Sequence, residues 1–291
     1  MQPLPLPSPG PLGPLEIRPL HASEMRLYLA CPQKHHFAHH DRRVPVLRHK
    51  ALQRGTDVHV WLSHWWMGED ASPWLPEDPA VLAACLGYDA VYGSSASSRG
   101  SPHLREVRVN VPFEAVVGGV RCAGTLDALG RDDRDALVIV EHKTTSSDIA
   151  PGEVYWRQVV TTDLQVSMYQ AAFPGSTILY DVLRKPTIRQ RKVPTKTLPV
   201  ETDEEYVARC LEWIEDDHAR YYQRATVVRL ESEDEAFARD VRLVDALRRL
   251  PQAPRNSASC FSYGTRCGYH DVCWGSASLL DPEFTDQEAS R

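Results

Sequence analysis

The sequence predicts an α/β protein with a small mixed central sheet flanked by helices. Two observations carry this. The middle of the chain holds consecutive strand-like segments, the last of which, Leu137-Val-Ile-Val140, has the unbroken β-branched and aliphatic character of a strand buried on both faces. Segments of helical character precede and follow that block.

Taken in order, Met1 to Pro14 is Pro-rich, and residues 1–16 are expected to be a disordered tail. Ala22 to Phe37 reads as one helix with Ser23 as N-cap. Leu52 to Trp66 is a second helix, rich in aromatics and buried on one face. Ser94 to Ser101 is a small-residue linker. Strands follow at Glu106–Phe113, Glu114–Leu129 and Ala136–Lys143, with Arg131–Asp135 as the polar turn between the last two. Thr162–Phe173 reads as a helix, Thr177–Leu183 as a strand, Thr202–Arg224 as a long polar helix and Phe237–Leu250 as an amphipathic helix stopped by Pro251. One domain is expected over residues 17–275, with residues 276–291 as a tail. No internal repeat is apparent.

The 291 residues, 42% hydrophobic and 25% charged, have an ordinary soluble composition and suffice for a substantial core. No apolar run approaches the roughly 20 residues of a membrane span, and the N-terminus lacks the pattern of a signal peptide. A cytoplasmic protein without membrane partners is expected. The formal charge of −6 argues against coating nucleic acid by bulk charge, but allows an acidic site beside a local basic groove.

Chemistry concentrates in the hairpin. If its two strands pair antiparallel about Asp133–Asp135, Asp127 falls opposite Glu141, and opposed side chains share a sheet face. Lys143, two residues beyond Glu141, shares that face, while His142 points away. Two carboxylates and an ammonium then converge. Such a trio can be a surface ion pair at a hairpin end. It also suits phosphodiester hydrolysis, with oxygen ligands for Mg²⁺ or Mn²⁺ and a lysine for the attacking water or the developing charge. The buried run leading into Glu141 favours the second reading, since charged groups ending a core strand need a partner or a purpose.

The stretch Gly124-Thr-Leu-Asp127 through Glu141-His-Lys143-Thr-Thr145 resembles the central motif of PD-(D/E)XK nucleases, specifically the RecB-like branch. That branch includes the AddB nuclease domain and the iron–sulfur CRISPR-associated exonucleases. The resemblance implies a restriction-endonuclease-like core, metal ligation by Asp127 and Glu141, and a catalytic role for Lys143. Many members of the branch carry Asp where this chain has Glu141. His59, in Arg54-Gly-Thr-Asp-Val-His59, matches the histidine that the family places on an early helix as an additional metal ligand. Gln165 and Tyr169 match its Gln-x-x-x-Tyr, and at i, i+4 they lie on one helical face.

Seven cysteines in a reducing compartment are not expected to form a disulfide framework. Cys260, Cys267 and Cys273 cluster late in the chain, and Cys31, in Tyr28-Leu-Ala-Cys31-Pro32, is the best candidate for a fourth ligand. Four thiolates suit a [4Fe–4S] cluster or Zn²⁺. One remote and three clustered ligands favour the cluster, as in the RecB-like nucleases that carry one. The six residues between Cys260 and Cys267 exceed the two or three usual there. Cys85, Cys122 and Cys210 read as core or incidental.

Arg184, Lys185, Arg189, Arg191 and Lys192, followed by Lys196, form the densest basic run, either a phosphate-contacting segment or a solvated loop. Tyr155 and Trp156 could stack on bases or belong to the core. The sequence therefore leads to a metal-dependent DNA nuclease, an exonuclease on single-stranded or end-opened DNA in recombination, repair or phage DNA processing. The alternative is a non-catalytic DNA-binding or scaffold subunit of a helicase–nuclease or recombination complex. No P-loop motif occurs, so any helicase partner would be a separate chain.

Overall fold

The computed structural model describes residues 18–46, 50–93, 104–194, 199–262 and 265–287. The expected N-terminal tail, the Ser94–Ser101 linker and Lys196 lie outside them. Two compact units are present, one formed by Met1–Leu47, Glu114–Ala123 and Glu235–Arg291, the other by Arg48–Phe113 and Gly124–Asp234.

The second unit holds most of a five-stranded sheet of order β2-β3-β4-β5-β6, with β2 at Arg105–Val117, β3 at Val120–Arg131, β4 at Leu137–Thr145, β5 at Thr177–Arg184 and β6 at Tyr222–Val227. β3 and β4 pair antiparallel with Ala128 opposite Val140 and Leu129 opposite Ile139, the register predicted from the turn. β4 and β5 run parallel, with Glu141 beside Tyr180, His142 beside Asp181 and Lys143 beside Val182. β6 closes the edge antiparallel to β5. The expected mixed α/β architecture is the one observed.

Around this sheet lie α3 (Lys50–Trp66), α4 (Pro79–Tyr92), α5 (Leu164–Ala172) and α6 (Asp203–Asp216). Trp61, Leu62, Trp65 and Trp66 of α3 and Tyr88 of α4 pack with Val140, Leu183 and Tyr222 in one buried cluster. α4 is absent from the sequence reading. It is almost wholly apolar, Asp89 being its one charged residue, so it lacks the one-faced period that marks a surface helix, yet Asp78 caps it, accepting from the amides of Ala80 and Val81. The predicted long helix Thr202–Arg224 is a helix, a short 3-10 turn at His218–Arg220 and the start of a strand. α6 opens with a capping box between Thr202 and Glu205 and stops at Asp216, after which β6 begins at Tyr222. The aromatic Tyr221-Tyr222 pair favours a strand, and pairing with β5 overrides the polar pattern that precedes it.

The first unit contains α1 (Ala22–Ala30), α2 (Pro32–His39), β1 (Arg43–Pro45), most of α7 (Glu231–Arg248), the hairpin strands β7 (Phe261–Ser262) and β8 (Thr265–Arg266), α8 (His270–Cys273) and β9 (Phe284–Asp286). The single helix expected over 22–37 is broken at Cys31, whose backbone is extended at φ −161° and ψ 106°. Pro32 causes the break, because it disfavours helical geometry in the residue before it while suiting the first position of the next helix. His21, not Ser23, occupies the N-cap of α1, without a side-chain cap bond. The expected C-terminal tail is also ordered in part, for β9 pairs antiparallel with β1, Val44 opposite Thr285.

Among the described residues no helix is long and apolar enough to cross a membrane.

Candidate active site and cysteine cluster

The pleat of β4 puts Glu141 and Lys143 on one face, and the antiparallel β3 brings Asp127 beside them. The connection from β4 to its parallel neighbour carries α5, which delivers Asp163, Gln165 and Tyr169 to the same place. Lys143 Nζ donates to Glu141 Oε1 at 2.5 Å and to Gln165 Oε1 at 3.1 Å, and lies 3.2 Å from Asp163 Oδ2. Gln165 in turn donates through Nε2 to Glu141 Oε2 at 3.1 Å and to the Tyr169 hydroxyl at 2.6 Å. Tyr169, buried, donates to the carbonyl of Thr125 at 3.0 Å and so ties α5 back to β3. From α3, His59 Nδ1 reaches to 3.3 Å from Asp127 Oδ1, and the amide of His142 donates to Asp127 Oδ2 at 2.8 Å. His59, Asp127, Glu141, Lys143, Gln165 and Tyr169, drawn from four elements, thus converge.

The charges in this cluster are strongly coupled. Burial first, and then the neighbouring Asp127 carboxylate, push Glu141 up to about 7, against the pull of Lys143. Burial works to raise Asp127 as well, but the hydrogen bond and charge of His59 outweigh it and Asp127 is held below the usual range. For Lys143 burial favours the neutral amine, and the carboxylates of Glu141 and Asp163 overcome it, so its affinity for the proton is raised. Two adjacent carboxylates, one of them strained towards its acid form, with a histidine nitrogen alongside, are a donor set that a hard divalent cation relieves.

Two parts of the site escaped the sequence reading. Asp163 is not among the predicted site residues, although its place as helix N-cap two residues before Gln165 is a usable signal; its Oδ1 accepts from the Gln165 amide at 3.0 Å. The other is a buried network on the opposite face of β4. His142 Nδ1 lies 2.9 Å from Asp181 Oδ2, Arg224 Nε donates to Asp181 Oδ1 at 3.0 Å, and the Tyr88 hydroxyl donates to Asp181 Oδ2 at 2.6 Å.

The basic run is divided in its commitments. Arg184 pairs with Asp148 at 3.3 Å and Arg191 with Glu201 at 3.4 Å. Lys185 is half-buried, and burial followed by the nearby Arg54 charge lowers its proton affinity. Arg189 and Lys192 are exposed. Tyr155 is buried, and Trp156 donates its indole N–H to the carbonyl of Ile149 at 2.8 Å.

In the first unit, Cys31, Cys260, Cys267 and Cys273 line a single small pocket with Lys34, Asn256 and Tyr269. The long spacing between Cys260 and Cys267 has a structural reason. β7 and β8 pair Phe261 with Arg266 and Ser262 with Thr265, and the Cys267 amide donates to the Cys260 carbonyl at 2.8 Å, so the hairpin sets the two cysteines side by side. The break at Pro32 puts Cys31 at the junction of α1 and α2, facing them. Burial, then the nearness of Cys31 and Cys267, raises the Cys273 thiol. Such crowding of thiols suits a thiophilic metal centre.

One other group, Glu24, His35 and His39, draws three potential ligand atoms within 4.8 Å of one another. It is already an ion pair: Arg248 Nη1 donates to Glu24 Oε1 at 2.7 Å, and the same oxygen accepts from His35 Nε2 at 2.9 Å. A guanidinium on the carboxylate makes this a buried lock between α1, α2 and α7 and leaves a second cation unfavoured.

A mixed sheet whose central strand carries acidic and basic groups at its end, with helices on its faces, defines a restriction-endonuclease-like fold. The chain belongs to the PD-(D/E)XK nuclease superfamily, whose family model matches residues 19–274. Two similar solved structures, each 14% identical, are SSO0001, covering 92% of this chain and 87% of that one at a TM-score of 0.37, and a candidate exonuclease from Eubacterium rectale, covering 91% and 90% at 0.44. No curated protein matches the chain.

Proposed function

We propose that this nuclease-superfamily protein is a Mg²⁺- or Mn²⁺-dependent DNA nuclease of the RecB-like branch. We read it as an exonuclease acting on single-stranded or end-opened DNA in recombination, repair or phage DNA processing. The observation that carries the reading is the single hydrogen-bonded cluster of Asp127, Glu141, Lys143, Gln165 and Tyr169, with His59 on Asp127.

Asp127 and Glu141 offer oxygen ligands and His59 a nitrogen. A divalent cation held there would supply Lewis-acid stabilisation of a phosphate and make a water easier to deprotonate. Lys143, aimed by Gln165, would orient the attacking water or donate to the phosphate oxygen that gains charge. Tyr169 keeps Gln165 in place. The exposed Arg189 and Lys192 are the members of the basic run best disposed to meet DNA phosphates.

Cys31, Cys260, Cys267 and Cys273 hold a [4Fe–4S] cluster in this reading. The shared pocket supports it. A cluster joining residue 31 to the segment 260–273 closes a long loop and restricts the unfolded chain.

The test is degradation of end-labelled single- and double-stranded DNA by protein purified without oxygen, with Mg²⁺ or Mn²⁺. Activity surviving both Asp127→Ala and Lys143→Ala sinks the catalytic assignment. A colourless preparation holding zinc, in place of a brown one holding iron and acid-labile sulfide, sinks the cluster.

A further inference from the structure

We propose that Asp163 is a positioning residue for Lys143, holding the ammonium in its working place when Glu141 turns to the metal. The proposal rests on the nuclease reading above.

A lysine ammonium has three N–H donors. Lys143 spends them on Glu141 Oε1, Gln165 Oε1 and Asp163 Oδ2. Glu141 is also the group whose burial and crowding by Asp127 most call for a cation. Once its oxygens serve a metal, Lys143 keeps the two acceptors that the start of α5 provides. Of these, Asp163 alone carries charge, and a charge-assisted bond is roughly twice as strong as a neutral one. The third N–H is then free to face water or phosphate.

Asp163 is built to stay still while that happens. It is the N-cap of α5, its Oδ1 accepting from the Gln165 amide at 3.0 Å. The hydroxyl of the buried Tyr180 donates to its Oδ2 at 3.0 Å. Arg229, also buried, donates from Nη2 to the backbone carbonyl of Val160 at 2.8 Å and to that of Asp163 at 3.4 Å, which pins the turn leading into the helix. The carboxylate is therefore fixed from the helix, from β5 and from its own backbone, and none of these anchors is a candidate metal ligand. A capping role alone would need only Oδ1. The second oxygen, held by Tyr180 and set against Lys143, is what capping leaves unexplained.

Asp163→Asn keeps the cap and removes the charge. Two measurements test it. In metal-free protein, competitive acetylation mapped by mass spectrometry should show Lys143 labelling several-fold faster than in the native chain, relative to Lys34. In single-turnover cleavage at saturating Mn²⁺, the rate should fall about tenfold or more, while DNA affinity measured in Ca²⁺ stays unchanged. Unchanged Lys143 labelling, or a rate within about twofold of native, overturns the proposal. If Asp163→Asn does not fold, Tyr180→Phe, which removes only the hydroxyl on Oδ2, should shift both readouts in the same directions, and no shift overturns it equally. A native protein that cleaves nothing would defeat the nuclease reading and this role together; an active native protein with an equally active variant defeats this role alone.

Discussion

His142 and Asp181 are neighbours across the parallel β4–β5 ladder, and their side chains meet at 2.9 Å with both residues almost wholly buried. The contact lies directly behind the acidic site, since the same His142 lends its backbone amide to Asp127. Burial alone would raise Asp181, but the Arg224 guanidinium, then His142 and Tyr88, hold it down to about 2. Removing this buried carboxylate takes from the partly buried Arg224 its charge partner, leaving it the Tyr88 hydroxyl, and breaking a buried pair from one side typically costs about 3–5 kcal/mol. Asp181→Ala should therefore lower urea-unfolding stability by an amount of that order. Its depressed value also fixes a sign. The stabilisation is present above the ordinary carboxylate range and is lost as pH falls towards 2, so the native chain should lose more stability on acidification over that window than any folded Asp181 variant does.

Glu141 behaves in the opposite sense. Its folded value of about 7 exceeds the unfolded one of 4.5, so in metal-free protein the group costs stability as pH rises from 4.5 to 7, and the cost levels off above. A divalent cation must displace that proton. Calorimetry should find Mn²⁺ affinity rising with pH below about 7, with a proton released per metal bound, and flattening above it. Glu141→Gln should weaken binding and reduce the slope, the remainder coming from His59, where burial is outweighed by the Asp127 carboxylate and proton affinity is raised. A Glu141→Gln protein with the native slope would show that another group titrates.

Much of this site was legible because period and pairing are local. The alternation that sends Glu141 and Lys143 to one face, and the turn that sets Asp127 against Glu141, follow from strand geometry and a polar turn, and the observed register is the predicted one. Gln165 and Tyr169 were legible from the resemblance to the family's Gln-x-x-x-Tyr, helical spacing adding only that they share a face. What was not legible depends on the parallel pairing of β4 with β5. No spacing in the chain announces that Asp181 will lie beside His142, or that Tyr180 will anchor Asp163, because those contacts arise from a crossover. Elements lacking a clear period failed for a related reason. α4 is almost wholly apolar, with Asp89 its one charged residue, and β6 and β9 are short strands whose identity comes from their partners β5 and β1.

The β7–β8 hairpin makes a specific claim about Cys260, whose distance in sequence from Cys267 sets it apart from the pattern of clustered cysteines. Its carbonyl accepts from the Cys267 amide, and it lines the same pocket as Cys31, Cys267 and Cys273. Cys260→Ser should therefore lower bound iron per chain as much as Cys267→Ser does, whereas Cys210→Ser, in the other unit, should leave iron content at the native level. Iron retained in full by Cys260→Ser would exclude Cys260 from the ligand set.

Gly87 lies inside α4, where general propensity favours replacement by alanine by about 1 kcal/mol. Here the neighbours decide otherwise. A Cβ at this position would come within 2.4 Å of the Tyr222 hydroxyl and 3.0 Å of Ile214 Cγ2. Tyr222 cannot swing aside cheaply, because it is buried and its hydroxyl donates to the carbonyl of Ala84 at 2.8 Å. Overpacking of this kind costs about 1–3 kcal/mol, enough to cancel or exceed the propensity gain before the strained hydrogen bond is counted. Gly87→Ala should accordingly lower the thermal midpoint, and Gly87→Ala with Tyr222→Phe should lose less than the sum of the two single changes, since removing the hydroxyl removes the nearest clash. Additive losses in that cycle would mean the helix shifts as a whole, with the strain spread along α4 instead of falling on Tyr222.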